Sequence, residues 1–426
     1  MKTYTNPSKG EQQLICQRPT IDISELKPAV SSILQAVKSE GDKAVIDFTR
    51  KFDDVQVNQI KLEIPAEINI SDELKSAIDV AWNNIWKFHE SQRETEQKVE
   101  TTEGVFCWRK SIPIERVGLY IPGGSAPLFS TLLMLGIPAK IAGCSELVVG
   151  TPPKKDGSFD SAILYVAQKL GVKHIYTVGG AQAIAAMTYG TDTIPKVDKI
   201  FGPGNQYVTM AKQLAQEIGV AIDMPAGPSE VLVIADESCE TAFVAADLLS
   251  QAEHGPDSQV VLVCVGKQEL AKQIADEVEN QLNLLPRKET AEKALNNSSI
   301  VVFDNYESAI DFSNDYAPEH LIIVTENCDE LAEKVINAGS VFLGNYSCES
   351  AGDYASGTNH TLPTNGYAKS YSGVSLDSFF KKVTFQRLTS TGIQNIGPSI
   401  EVMAAAEQLD AHKNAVSLRL KKLSDG

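Results

Sequence analysis

Val117-Gly118-Leu119-Tyr120-Ile121 runs straight into Pro122-Gly123-Gly124. A short apolar run that breaks at proline and glycine reads as a buried strand ending in a tight turn. A helical stretch follows near 131–142. The same unit then recurs. Strands are expected at 147–149, 174–178, 199–201 and 220–223, with helices at 160–170, 181–189 and 206–218 between them. A second series places strands at 231–234, 260–265, 300–303, 321–324 and 341–343, again with helices between. Strand–helix alternation of this kind builds parallel sheets covered on both faces.

The fold class is therefore α/β, with two Rossmann-like lobes that meet near Pro225-Ala226-Gly227-Pro228. Residues 1–110 read as a helical region. An apolar helical period spans 23–48 with an interruption at Gly41-Asp42, and Ser71 is a cap for a helix over 72–94. In that helix Trp82, Ile85 and Phe88 form an apolar stripe that reads as core, with His89 beside it as a surface or satisfied histidine. The first lobe is expected over 111–225, the second over 226–385, and a tail over 386–426. The rhythm stops after Thr364, 376–387 is mixed, and helices are expected at 398–408 and 410–423. The tail is apolar on one face and lies outside both lobes, so it is expected to pack on something else, another copy of the chain being one candidate.

With 426 residues the chain can build sizeable cores, and its 43% hydrophobic and 22% charged content is ordinary for a soluble protein. A net charge of -17 argues against nucleic acid or an anionic membrane as partner. Residues 1–19 have no apolar core of a signal peptide and too few arginines for a transit peptide. No apolar run reaches the length of a membrane span. The seven scattered cysteines, with no CxxC pair, fit a reducing cytoplasm and no thiolate metal site.

Several segments could carry chemistry. Ser250-Gln251-Ala252-Glu253-His254-Gly255-Pro256 reads as a helix end, because Phe243, Ala246, Leu249 and Ala252 recur at helical spacing and Gly255-Pro256 stops it. Gln251 and His254 then share a face, where an amide oxygen and an imidazole can hold a metal. Glycine turns at 120–124, 179–182 and 202–205 fall at expected strand ends, where phosphates bind, although none completes GxGxxG. Asp315-Tyr316-Ala317-Pro318-Glu319-His320 precedes an apolar strand, so the Glu319–His320 pair is expected at a sheet edge, offering two proton-transfer groups. Gly352-Asp353-Tyr354-Ala355-Ser356-Gly357-Thr358-Asn359-His360 reads as a glycine-rich polar loop of the kind that carries metal ligands. Glu407 and His412 lie in the tail, on either side of the helix break at Leu409-Asp410. Gln251, His254, Asp353 and His412 together would make a mixed N/O set that zinc accepts, though their spacing alone does not single it out.

Taken in order, these segments resemble the histidinol dehydrogenase family over about 23–420. The resemblance rests on Gly118-Leu119-Tyr120-Ile121-Pro122-Gly123-Gly124, Gly202-Pro203-Gly204-Asn205 and Ala226-Gly227-Pro228-Ser229-Glu230. It extends through Ser250-Gln251-Ala252-Glu253-His254-Gly255, Ala317-Pro318-Glu319-His320-Leu321, the 352–360 segment and Leu409-Asp410-Ala411-His412-Lys413-Asn414. It implies a zinc- and NAD-dependent oxidation of L-histidinol to L-histidine through histidinaldehyde, in a homodimer with one zinc per subunit. By matching positions it implies Gln251, His254, Asp353 and His412 as zinc ligands and Glu319 and His320 as the catalytic pair. The same four ligands, with Ser229, His320 and Glu407, match substrate contacts, and Tyr120, Gln182 and Asn205 match NAD contacts. Glu407 and His412 are expected to come across the subunit interface. The role of His360 is left open.

Three other readings follow from the same residues. One is a zinc hydrolase with Glu319 as base. Another is a non-enzymatic two-lobed solute-binding protein, against which the Glu319–His320 pair counts. The third is an aldehyde dehydrogenase working through a cysteine thiohemiacetal, for which no cysteine is marked out; Cys107 and Cys348 read as packing residues.

Overall fold

The structure is a computed structural model that describes residues 1–18, 23–56, 59–123 and 128–425. Gly124 of the first glycine turn lies outside the described residues. The chain divides into two compact units, residues 1–92 with 115–378 and residues 93–114 with 379–426. Both α/β lobes belong to the first unit. These units cut the chain differently from the divisions expected after 110, 225 and 385.

The first lobe is a six-stranded sheet in the order Lys61–Glu63, His174–Thr177, Glu146–Thr151, Arg116–Tyr120, Lys199–Phe201, Ala221–Ile222. All neighbours are parallel except the edge strand Lys61–Glu63, which runs antiparallel to His174–Thr177. One face is covered by helices Ile23–Glu40, Gly180–Tyr189 and Gln206–Glu217, whose Val30, Leu34, Ile184, Met187, Ala211 and Leu214 share one core. Helix Phe129–Ala142 is buried along nearly its whole length. That matches its uniformly apolar sequence, since a helix apolar all round is an interior helix.

The second lobe is a fully parallel sheet in the order Lys2–Thr5, Ser299–Phe303, Gln259–Val265, Glu230–Ala235, His320–Val324, Ser340–Leu343. Its central strands alternate between two cores. Val231 and Val233 face one, and Leu232 and Ile234 face the other. A strand buried on both faces has no polar side, which is why it reads as a continuous apolar run.

Three expectations change. Residues 1–110 are not wholly helical: Lys2–Thr5 and Lys61–Glu63 are edge strands, and Lys98–Thr102 and Val105–Pro113 pair with each other. These strands are short or solvent-facing, so no apolar alternation marks them. The mixed segment 376–387 contains the strand Phe380–Leu388, which pairs antiparallel with Val105–Pro113 in the second unit. The stripe on helix Asp72–Glu90 is only partly core. Ile85 is fully buried and Trp82 half-buried, but Phe88 is 44% exposed. The cap at Ser71 holds, accepting from the Leu74 N–H. His89 is buried and satisfied, with Nδ1 on the Ile85 carbonyl at 2.9 Å and Nε2 facing the Asn359 amide at 3.3 Å.

One buried charge ties the N-terminal segment to the second sheet. Glu230, at the start of a central strand and fully buried, accepts two hydrogen bonds from the Arg18 guanidinium, both 2.9 Å. Arg18 also donates to the Cys16 and Tyr316 carbonyls and stacks 3.7 Å from the Tyr316 ring centre. Removing one member of such a pair strands the other charge in a dry interior. Arg18→Ala is therefore expected to lower unfolding free energy by about 3–5 kcal/mol. Urea denaturation followed by circular dichroism checks this, and a loss under about 1 kcal/mol would show that the pair is effectively solvated.

Candidate active site

The two lobes present opposite ends of their strands to one cleft. From the first lobe come turns at carboxyl ends of strands, the usual ligand edge of an open α/β sheet. From the second lobe come amino ends: Ser229 precedes Glu230–Ala235, and His320 opens His320–Val324. The cleft holds about 560 Å³ and is walled by Gly202 to Asn205, Ser229, Gln251, His254, Glu319, His320, Asp353 and His360. The structure thus brings together most of the sequence-derived site residues of the first unit.

The Glu319–His320 pair is not at a sheet edge. Its strand lies between Glu230–Ala235 and Ser340–Leu343, and both side chains are buried. An inner position removes water from both groups. His320 Nδ1 sits 3.8 Å from Glu319 Oε2 and 3.3 Å from the Glu230 carbonyl, while its Nε2 points to Asp353 Oδ1 at 3.5 Å. Glu319 Oε2 also accepts from the Glu230 N–H at 2.8 Å. Burial pushes the Glu319 carboxyl up to about 8, partly opposed by His320. Burial alone would lower His320, but Glu349, Glu319 and Asp353 outweigh it and hold the imidazole up to about 10. Without a counter-cation His320 therefore keeps its proton.

Around this pair lies a group of metal-competent donors. Gln251 is in the last turn of helix Thr241–Ala252 and His254 follows it, as the sequence indicated. Asp353 is not on a loop: it lies in the short helix Glu349–Tyr354, and the polar loop begins only after it. The glycines of 352–360 hide that single helical turn. Donor atoms of His254, Glu349 and Asp353 all lie within 4.8 Å of one another. Glu349 was not singled out from sequence, although its spacing of four from Asp353 on a helix puts both carboxylates on one face. It is 1% exposed, and its carboxyl is pushed well above the usual range by burial and by its carboxylate neighbours. The hydrogen-bond network orients the Gln251 amide nitrogen toward Glu349, with its oxygen accepting from the Glu230 N–H at 2.8 Å. Glu349 Oε2 is buried without a hydrogen-bond partner, and His320 Nε2 and Asp353 Oδ1 face only each other, at 3.5 Å. Buried polar atoms left bare in this way are what a cation would satisfy. His254 opens onto the cleft, yet the protein packed round its ring lowers its basicity, which favours the neutral form that binds metal. His360 is anchored by Nδ1 on the Asp353 carbonyl at 2.9 Å, so it holds the backbone of that donor.

The remaining expected residues divide. Asn205 is exposed on the cleft wall and caps helix Gln206–Glu217 through Oδ1 to the Tyr207 and Val208 N–H groups. Tyr120 is buried, and its hydroxyl accepts from the Gly180 N–H at 3.2 Å, with burial pushing it up to about 12. Gln182 is buried with Nε2 unpartnered. Glu407 and His412 belong to the second unit, where both are exposed.

A cleft between two α/β sheets, lined by a buried Glu–His pair and a carboxylate–imidazole cluster, defines an enzyme with a metal-competent site. The family model for histidinol dehydrogenase matches residues 16–420. Histidinol dehydrogenase of Bacteroides thetaiotaomicron is 58% identical over 99% of this chain and 100% of its own length. The chloroplastic enzyme of Arabidopsis thaliana is 54% identical over 99% of this chain and 92% of its own. The crystal structure of histidinol dehydrogenase from Elizabethkingia anophelis superposes with a TM-score of 0.96 at 59% identity, covering 100% of this chain and 99% of that one. The chain belongs to the histidinol dehydrogenase family and is an oxidoreductase.

The position of Glu349 has a measurable consequence. Glu349→Gln is expected to weaken binding of a divalent cation such as zinc by about 10–100-fold, the effect of losing a group that orients a ligand. Competition against a chromophoric chelator reads it, and unchanged affinity would reduce Glu349 to packing.

Proposed function

We propose that the chain oxidises L-histidinol to L-histidine through L-histidinaldehyde, with NAD and one zinc ion per subunit, in histidine biosynthesis. The observation that carries this reading is one cleft that joins the buried Glu319–His320 pair to the donors Gln251, His254 and Asp353, in a chain of this family. The bare buried oxygens of Asp353 and Glu349 and the clustered donors fit a divalent cation. Gln251, His254 and Asp353 would hold it with His412 of the partner subunit. Zinc supplies a Lewis acid that anchors the substrate and does not itself change oxidation state. NAD would supply the hydride acceptor, and Tyr120, Gln182 and Asn205 on the first lobe would hold it.

The protein's own groups then divide the proton work. Ser229 and Glu407 of the partner subunit orient the amino alcohol beside His320. His320 takes the hydroxyl proton as the carbinol carbon gives up hydride. Asp353, if paired with a bound cation, would pull less on the His320 proton, which would leave His320 free to act as base. Glu319, once it has released its own proton, takes one from water as the water attacks the aldehyde. His320 returns its proton to the aldehyde oxygen as the water adds, and so is free to accept the proton of the hydrate when a second NAD takes the second hydride. No cysteine is required. All seven are free, and burial raises the thiols of Cys144, Cys239 and Cys264, which keeps them un-ionised.

The direct test is NADH formation from L-histidinol. Turnover is expected with zinc, to vanish with a chelator and to return when zinc is restored. A hydrolysed product with no NADH would favour the zinc hydrolase instead. Single-turnover rates separate the pair. His320→Ala should slow both oxidations by about 100-fold or more, whereas Glu319→Ala should slow mainly the aldehyde step, the one that consumes water. Equal losses on both substrates in Glu319→Ala would end that division.

The homodimer belongs to the same proposal. The tail helices Ser390–Ala406 and Asp410–Ser424 leave Val402, Met403 and Leu418 60–71% exposed, an apolar surface that a second copy would cover. Asp353→Ala and His412→Ala dimers, each inactive, should regain activity after subunit exchange, because one site of the mixed dimer keeps both ligands. Confirmed exchange without recovery would place both ligands in one chain. A cytoplasmic location completes the reading. No helix among the described residues is long and apolar enough to cross a membrane. Cell fractionation that found the chain outside the cytoplasm would overturn that part.

A further inference from the structure

An ion pair is built into the first-lobe wall of the cleft. Lys212, on helix Gln206–Glu217, and Asp223, just past the strand Ala221–Ile222, have side chains only 3% and 1% exposed and are in direct contact. Two of their remaining contacts converge on one residue, Gly202. Asp223 Oδ2 accepts from the Gly202 N–H at 2.8 Å, and Lys212 Nζ donates to the Gly202 carbonyl at 2.9 Å. Both polar groups of Gly202 are thus gripped, each by one end of the same pair. The other Asp223 oxygen accepts from the Met224 N–H at 2.7 Å, at the start of the segment that crosses to Ser229.

The turn has no slack of its own. Gly202 has φ +131°, and a Cβ there would lie 2.1 Å from the Tyr120 carbonyl oxygen. The turn is pressed against the strand end that carries Tyr120. Its far end is Asn205, which caps the helix from which Lys212 reaches back. A buried ion pair is rarely worth more to stability than apolar residues of the same shape, because both charges must leave water. Here it gives direction: charge-assisted bonds hold one peptide of the turn at a set angle.

We propose that Lys212 and Asp223 are positioning residues for the dinucleotide, fixing the Gly202–Asn205 turn in the orientation that lets the first lobe present NAD to His320. The inference rests on the reading that this turn belongs to the NAD site. It assigns no chemical step to either residue. Lys199, the other cation acting on Asp223, keeps that carboxylate from being left wholly uncompensated when Lys212 is removed.

The test uses the full-length, zinc-loaded protein and compares two affinities with thermal stability. In Lys212→Met the dissociation constant for NADH should rise about tenfold or more, the size expected for losing a charge-assisted hydrogen bond. That for L-histidinol should stay within about twofold, since its contacts lie on the second lobe and the tail. The double variant Lys212→Met/Asp223→Asn removes the buried charges together. It should recover thermal stability while NADH affinity stays low. Recovery of NADH affinity along with stability, or parallel loss of both affinities, would show a merely structural pair and overturn the proposal. If Lys212→Met does not fold, the double variant alone decides on the same criteria. No NADH binding by the unsubstituted protein would overturn the cofactor reading and this inference together, whereas normal binding that both variants leave intact would overturn this inference alone.

Discussion

The site depends on keeping Glu319, His320, Glu349 and Asp353 in one largely dry volume. Carboxylates that close repel one another, and burial limits the hydration that would relieve it. The protein offsets this in two ways. Asp353, its carboxyl held low by His320, favours the protonated imidazole, and burial pushes Glu319 and Glu349 toward their neutral forms. What remains is a set of bare donor atoms whose natural complement is a cation. The stability of the arrangement and its capacity for metal therefore have a common electrostatic origin.

That volume lies where it does because of the way the second sheet is used. Open α/β sheets normally offer ligands their carboxyl edge, and the first lobe follows that habit with its glycine turns. The second lobe turns its amino edge to the same cleft, so His320 and Ser229 stand at strand beginnings. The backbone there is anchored by Glu230. Its N–H holds Glu319, and its carboxylate is locked to Arg18 and to the Asn365 N–H. One residue thus links the N-terminal segment, the central strand and the Glu319–His320 pair.

Much of this was legible before any coordinates. Continuous apolar runs placed the strands of both lobes to within a residue or two at most boundaries, because strands buried on two faces can carry little else. The 248–256 helix end, the Ser71 cap and the final helix were also readable from local spacing or capping, whereas the helix before it begins at Ser390, well ahead of the expected 398, with Pro398 inside it. The edge strands Lys2–Thr5 and Lys61–Glu63 and the antiparallel sheet of the second unit were not. Their side chains face solvent on at least one side, and their pairing partners lie up to about three hundred residues away in sequence.

The site shows the same boundary between local and distant information. The sequence by itself determined which residues could act: the Glu319–His320 pair, the Gln251–His254 helix end, and Asp353 within a polar segment. Those are statements about neighbouring residues and short spacings. Only the tertiary structure decided that Glu319 and His320 sit inside the sheet, that Asp353 lies on a helical turn facing Glu349, and that Arg18 neutralises Glu230. Each of those depends on charges brought together across long stretches of chain and on water being removed from between them. No local pattern encodes a dielectric environment, and it is the environment that makes these ordinary side chains a site.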